Sequence, residues 1–308
     1  MTTTIQPSLP DRATVSQPRD SVARRGSVFL YRHAKVRLAL LLSAPLFWLG
    51  LVYIAALVAL LITAFWSVDA FTGDILIQWN VGNVTSVLTQ SIYQAVTLRT
   101  LGAALLVTAI DITLALPIAF VMAKIARPAV QRALVIAILM PLWASYLVKA
   151  YAWRSVLAED GILDWTLRLV GLNSPGYGFE GTVFTLSYLW LPFVILPIYT
   201  AMERVPNSLL DASSDLGART WTSFRTVILP LVTPGIIAGS IFSFSLTLGD
   251  YIAVKIVGGA TQMLGTLVYT NVGTANNLPL AAAVAFIPIA IIFIYLAAVR
   301  RTGALNNL

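Results

Sequence analysis

Six long apolar runs, separated by short polar segments, dictate what this chain can fold into. A lipid bilayer needs roughly 20 apolar residues per helical crossing. On that measure, spans fall near residues 38–66, 96–123, 131–150, 181–202, 235–256 and 279–299. The chain is 58% hydrophobic and only 11% charged, with a mean hydropathy of +0.83, so it lacks the charge needed to cover a water-facing surface. The predicted fold is all-α, a polytopic bundle of six transmembrane helices. The first run is too long for the apolar region of a cleaved signal peptide. Pro45, Pro117, Pro141, Pro192, Pro197 and Pro288 fall inside the runs, where neighbouring helices can satisfy the backbone groups they free.

Charge sets the orientation. The formal charge of +7 comes from short clusters between apolar runs, a pattern of membrane topology and not of nucleic-acid binding. Arg12, Arg19, Arg24, Arg25, Arg32, Lys35 and Arg37 precede the first run, and Lys124, Arg127 and Arg132 follow the second. Arg204, Arg219 and Arg225 follow the fourth, and Arg300 and Arg301 follow the sixth. The alternate loops carry Asp69, Asp74, Glu159, Asp160, Asp164 and Glu180. Arg99, Lys149, Arg154, Arg168 and Lys255 run against the pattern. Both termini are therefore expected in the cytoplasm of a bacterial inner membrane. Residues 1–37 read as a disordered basic cytoplasmic arm, 38–300 as the transmembrane domain and 301–308 as a cytoplasmic tail. No internal repeat and no second soluble domain is evident. With no cysteine, and His33 the only histidine, no metal site is predicted.

The segment from Glu203 to Gly239, ERVPNSLLDASSDLGARTWTSFRTVILPLVTPGIIAG, lies between the fourth and fifth runs. Pro206 and Asn207 suit a helix start, and Leu209, Ala212, Ser213 and Leu216 follow at helical spacing. Gly217 offers a positive φ to end that helix. Thr220 is placed to cap a second short helix carrying Trp221, Phe224 and Val227, which is expected to stop before Pro230. The pair reads as a compact knob whose apolar face wants a groove on a partner. The alternative is a helix lying among lipid headgroups, but Asp211 and Asp215 sit poorly with that.

The series Asp211-Ala212-Ser213, Leu216-Gly217-Ala218, Phe224, Val227, Leu229-Pro230-Leu231 and Pro234-Gly235-Ile236 resembles the EAA loop of permease subunits of binding-protein-dependent ABC importers. It departs from that loop in having Asp211 for Glu and Ser213 for the second Ala. Leu248-Gly249-Asp250-Tyr251, Gly258-Gly259, Met263-Leu264-Gly265, Tyr151-Ala152-Trp153-Arg154 and Glu159-Asp160-Gly161 resemble the spermidine/putrescine group, and the likeness covers most of residues 38–300. The resemblance implies a type I importer fold whose loop forms the coupling helices. Asp211, Ala212, Asp215, Leu216, Gly217, Ala218, Phe224, Leu229 and Pro230 would then couple to an ATPase. It also implies an ABC ATPase dimer, a second permease, homologous or identical, and a periplasmic or extracellular solute-binding protein as partners, with membrane lipid around them and no nucleic acid. No G-x-x-x-x-G-K-[ST] sequence occurs, so no cofactor is expected in this chain, and ATP and Mg belong to the partner ATPase. The chain is not expected to be an enzyme.

Ionisable groups at bilayer depth are functional candidates. Asp250 beside Tyr251 suits a cationic amine through charge pairing and cation–π attraction; the alternative is a structural pairing with Lys255 or Arg154. Asp111, flanked by Thr108 and Thr113, reads more as a buried interhelical contact than as a substrate contact. Trp143, Tyr146, Tyr151, Trp153, Tyr188 and Trp190 read mostly as interfacial belt residues, with Trp153 kept as a pathway candidate. A polyamine such as putrescine or spermidine is the leading substrate. Ferric iron, thiamine, phosphonates, opines and amino-acid derivatives are the alternatives within the superfamily. An ion-gradient-driven secondary transporter and a non-transporting membrane anchor are the rivals from other classes.

Overall fold

The computed structural model describes residue 31, residues 34–69 and residues 71–301. Most of the basic arm, with Arg12 to Arg32 and His33, and the tail beyond residue 301 lie outside the described residues. The chain divides into two compact units, 1–59 and 60–308.

The first unit holds α1 (Ala34–Phe47), a π segment (Trp48–Tyr53) and the start of α2 (Ile54–Thr63). Together they make the continuous apolar helix Val36–Thr63. Its side chains Leu41, Leu46, Phe47, Trp48 and Tyr53 are exposed, the pattern of a helix solvated by lipid.

The second unit opens with a small antiparallel pair, β1 (Ser67–Val68) and β2 (Ile75–Leu76), in the register Ser67↔Leu76 and Val68↔Ile75. Asp69 closes the hairpin by accepting the backbone N–H of Phe71 (2.8 Å) and Thr72 (2.9 Å). Those bonds, Thr72's foremost, hold its carboxyl below the usual carboxylate range. Then come α3 (Gly82–Thr89), α4 (Ser91–Phe120), α5 (Pro128–Trp143), α6 (Tyr146–Leu157), α7 (Ile162–Arg168) and α8 (Phe179–Glu203). The remainder is α9 (Asn207–Asp215), α10 (Thr220–Ser223), α11 (Leu229–Gly249), α12 (Ile252–Val257), α13 (Leu264–Gly273) and α14 (Leu278–Arg301).

Among the described residues, five helical stretches are long and apolar enough to cross a membrane singly: Val36–Thr63, Ser91–Ile125, Phe179–Glu203, Thr220–Gly249 and Leu278–Arg300. The sixth predicted span, 131–150, is not one straight helix. It breaks at Ala144 and Ser145, both in extended backbone, and the two halves bend by 96°. Pro141 removes a donor from the last turn of α5, and serine competes poorly for a helix interior. The fifth span also differs from its expected 235–256. Its helix ends at Gly249, and Asp250 and Tyr251 form a break before the short α12.

The core of this unit is α4, α8 and α11, each packed against the other two. Ala115, Ala119 and Met122 meet Val194, Ile195, Ile198 and Met202, with Ile228 and Val232 beside them. Lipid tails are as apolar as these side chains, so the helices associate through close packing and interhelical hydrogen bonds. Gly235 and Gly239, a G-x-x-x-G pair on α11, supply the closeness. A Cβ on Gly235 would lie 2.6 Å from both the Pro197 carbonyl oxygen and the Ala201 Cβ, and one on Gly239 would lie 3.0 Å from Val194. One turn on, the Ser243 hydroxyl donates to Asp111 Oδ2 at 2.6 Å.

Candidate functional site

The loop between α8 and α11 begins where the sequence places it. Pro206 is in extended backbone at the N-cap, and α9 runs to Asp215. Gly217 has φ +81°. Its N–H donates to the Ser214 carbonyl (2.9 Å) while the Ala218 N–H donates to the Ser213 carbonyl (3.1 Å), the paired bonds of a Schellman stop. The second half differs from expectation. Arg219, not Thr220, occupies the N-cap, with no side-chain cap, and the helix does not stop before Pro230. It passes through a π segment (Phe224–Ile228) directly into α11, giving one helix from Thr220 to Gly249. Pro230 falls in the first turn of the α-helical part, where a missing N–H is tolerated.

The backbone is therefore helical without interruption from α10 to the far end of α11. The two short helices α9 and α10 are pinned by a buried contact between the Ser213 and Ser223 hydroxyls at 2.7 Å. Leu210 and Phe224 pack into the same core as Met122 and Ile228. From the neighbouring span end, the Lys124 ammonium donates to the Val205 carbonyl (2.6 Å) and to Asn207 Oδ1 (3.3 Å). Gln131 donates to the Tyr199 hydroxyl (2.6 Å) and to Glu203 Oε1 (2.9 Å). The knob is thus tied by Lys124 to the end of the Ser91–Ile125 span, and it runs directly into α11.

What faces outward mixes apolar side chains with charges of both signs, Arg219 and Arg225 among them. Leu216 is 88% and Trp221 71% exposed, and Leu209, Asp211, Ala212 and Asp215 are exposed beside them. Trp221 stacks on Phe224 with ring centroids 5.5 Å apart. Ala218 and Leu229 are half-buried and Pro230 is exposed. Ser213 is the member of the predicted face that turns inward. A cleft of about 800 Å³ runs between this knob and α4, lined by Leu116, Phe120, Leu210, Trp221, Phe224 and Ile228 among others.

At the opposite end of α11, Asp250 sits in the break between α11 and α12 and is 9% exposed. Its Oδ1 accepts the Ala253 N–H (2.9 Å), and its Oδ2 accepts the Tyr146 hydroxyl. Neither suggested structural partner reaches it. Lys255 lies over the Tyr269 ring at 3.9 Å, while Arg154 donates to the Ile256 carbonyl at 3.1 Å and lies over the Tyr177 ring. Tyr146 is the first residue of α6, just past the 96° bend, so the bond joins two interrupted helices. A cavity of about 340 Å³ opens here, lined by Tyr146, Trp190, Asp250 and Tyr251 with Ser245, Leu246, Gly249 and Ile252. Tyr146 stacks on Trp190 at 5.8 Å, and Tyr251 stacks on Tyr269 at 4.9 Å.

Trp153 pairs with Tyr188 at 5.4 Å and does not line this cavity. Thr113 is exposed and bonds to its own helix through the Ala109 carbonyl, so it does not serve Asp111. Asp111 is fully buried and held by Ser243, which Thr108 meets at 3.5 Å. That is the interhelical contact anticipated from the sequence.

With the fold and both ends of α11 described, the likeness to known proteins is direct. Residues 21–302 match the family described as binding-protein-dependent transport system inner membrane component. The chain belongs to this family. It is a multi-pass inner-membrane permease subunit of an ABC importer. The permease is 42% identical over 297 residues to the inner membrane ABC transporter permease protein YdcU of Escherichia coli, covering 92% of this chain and 95% of that one. It is 34% identical over 198 residues to the spermidine/putrescine transport system permease protein PotB of Haemophilus influenzae, covering 63% and 69% respectively. A bacterial alginate ABC transporter, solved in complex with a periplasmic protein bound to an alginate pentasaccharide, has a chain of the same fold. Its TM-score is 0.66 at 13% identity, covering 89% of the permease and 96% of that chain.

Proposed function

We propose that this permease forms half of the translocation pathway for a small polyamine such as putrescine or spermidine. A solute-binding protein delivers the amine, a second permease completes the pathway, and a pair of separate ATPase subunits grips the knob of α9 and α10. Both termini and the knob lie on the cytoplasmic side. ATP and Mg are held by the ATPases, and this chain hydrolyses nothing. Asp211, Ala212, Asp215, Leu216 and Trp221 form the gripped face, and the continuous helix Thr220–Gly249 carries the stroke across the bilayer to the break at Asp250. There the pathway residues are Asp250 and Tyr251.

The observation that carries the amine reading is Asp250, a carboxylate buried among aromatic side chains with no cationic partner among the described residues. An ionised group so placed is costly unless a cation joins it, and a primary ammonium meets both the carboxylate and the ring faces. The likeness to PotB, a spermidine/putrescine permease by name, supports the same class. Asp250→Asn keeps the shape and removes the charge. In cells carrying the whole transport system, it is expected to raise the KM for putrescine uptake by about tenfold or more, the scale of a hydrogen bond to a charged group. An unchanged KM would make Asp250 a structural residue.

A further inference from the structure

Asp250 already has a donor on each of its oxygens, and the two donors differ in kind. The Ala253 N–H is part of the turn that starts α12, at 2.9 Å from Oδ1, and any movement of it would unwind the helix. The Tyr146 hydroxyl on Oδ2 is a side-chain group on another element. Rotation of one side chain, or a small change in the bend at Ala144 and Ser145, removes it. The same ring lines the 340 Å³ cavity beside the carboxylate and stacks on Trp190. Tyr146 therefore meets Oδ2 at the wall of the cavity from which a ligand would approach it.

We infer that the Tyr146 hydroxyl is a built-in stand-in for the ammonium group of the substrate, and that an entering primary amine displaces it from Asp250. This rests on the amine reading of the preceding section. The arriving ammonium takes over Oδ2, while Oδ1 stays on the Ala253 N–H and keeps the carboxylate in place. Trp190 and Tyr251 line the cavity that the cation enters, and the freed Tyr146 ring remains a wall of it. Lys255 does not compete, because its ammonium is committed to the Tyr269 ring. Between transport events, the hydroxyl leaves the buried oxygen satisfied and ties the two broken helices together. Amine entry then releases that tie, so loading the site and loosening the outer end of the bundle become one event.

Substrate and hydroxyl compete for one oxygen, so removing the hydroxyl should favour the substrate. Tyr146→Phe retains the ring and its stacking. In cells carrying the whole transport system, it is expected to lower the KM for radiolabelled putrescine by about tenfold, the lower end of the scale for a hydrogen bond to a charged group. Maximal uptake should hold or fall. In an Asp250→Asn background the same change should leave KM where Asp250→Asn alone puts it, because the competition acts only through the carboxylate. A residue that merely braces the helices would lower maximal uptake and leave KM unmoved, and a direct ligand of the substrate would raise KM. Either result overturns the displacement while leaving amine import intact. If the unaltered system imports no amine, the substrate reading has failed and the displacement falls with it.

Discussion

Gly235→Val is expected to cost the permease its assembled bundle. The Cβ alone would sit 2.6 Å from the Pro197 carbonyl oxygen and from the Ala201 Cβ, closer than van der Waals contact allows. One obstacle is backbone and the other a side chain with no rotamer to escape into, so α8 and α11 must move apart. Their separation would also pull Gly239 away from Val194 and strain the Ser243 bond to Asp111. Overpacking of this kind costs about 1–3 kcal/mol before the lost contacts are added. Membrane helices have no hydrophobic drive to draw them back together. Detergent-extracted Gly235→Val permease should give a several-fold smaller folded peak on size-exclusion chromatography, with a lowered thermal midpoint. Gly102→Val is the control, because Gly102 is also helical but nothing lies within 4 Å of the Cβ it would gain. Equal loss in both would mean that helix propensity, not the α8–α11 contact, decides the outcome.

Gly217→Val is expected to abolish coupling without harming the bundle. A Cβ at Gly217 meets nothing within 4 Å, so crowding is no objection. The penalty is conformational: at φ +81° a β-branched residue is strained by about 1–3 kcal/mol. The strain falls on the Schellman stop that fixes α9 against α10, and relief requires the turn to open. Uptake should drop at least tenfold, and stimulation of the associated ATPase should drop with it, while the folded peak stays near normal. Gly217→Asn should retain most activity, because asparagine enters the left-handed region more readily than other side chains. If asparagine fails as badly as valine, the left-handed turn is not what matters there.

Hydropathy finds segments by length and apolarity, and it placed four spans close to their observed bounds because those properties decide them, while the predicted 235–256 ran past the helix end at Gly249. Backbone direction leaves no mark on a hydropathy scale. The run 131–150 is apolar enough to cross straight, yet it bends by 96° at Ala144 and Ser145. That bend moves Tyr146 from an interfacial belt to the wall of the Asp250 cavity. Pro206, Gly217 and the spacing of the loop were readable because cap and turn chemistry is local. Pro230 misled for the same reason. Taken alone it reads as a helix stop, but a π segment just before it lets the helix continue. The Ser213–Ser223 contact and the Lys124 bond to Val205 are tertiary pairings of residues with no distinctive spacing. Gly235 and Gly239 carried a signal the reading above did not use, a G-x-x-x-G within an apolar span, which suits close approach of a neighbouring helix.

Whether an ATPase grips the exposed face of the knob can be tested directly, because of the chain's composition. It contains no cysteine, so Leu216→Cys introduces a single thiol at the most prominent apolar position of that face. Loaded with a maleimide-benzophenone and irradiated in native membranes, this thiol should form an adduct between the permease and a Walker A-bearing ATPase, with a yield that changes when ATP is added. Labelling of the same thiol from outside intact cells by a membrane-impermeant maleimide would place the knob on the wrong side of the membrane and contradict the account.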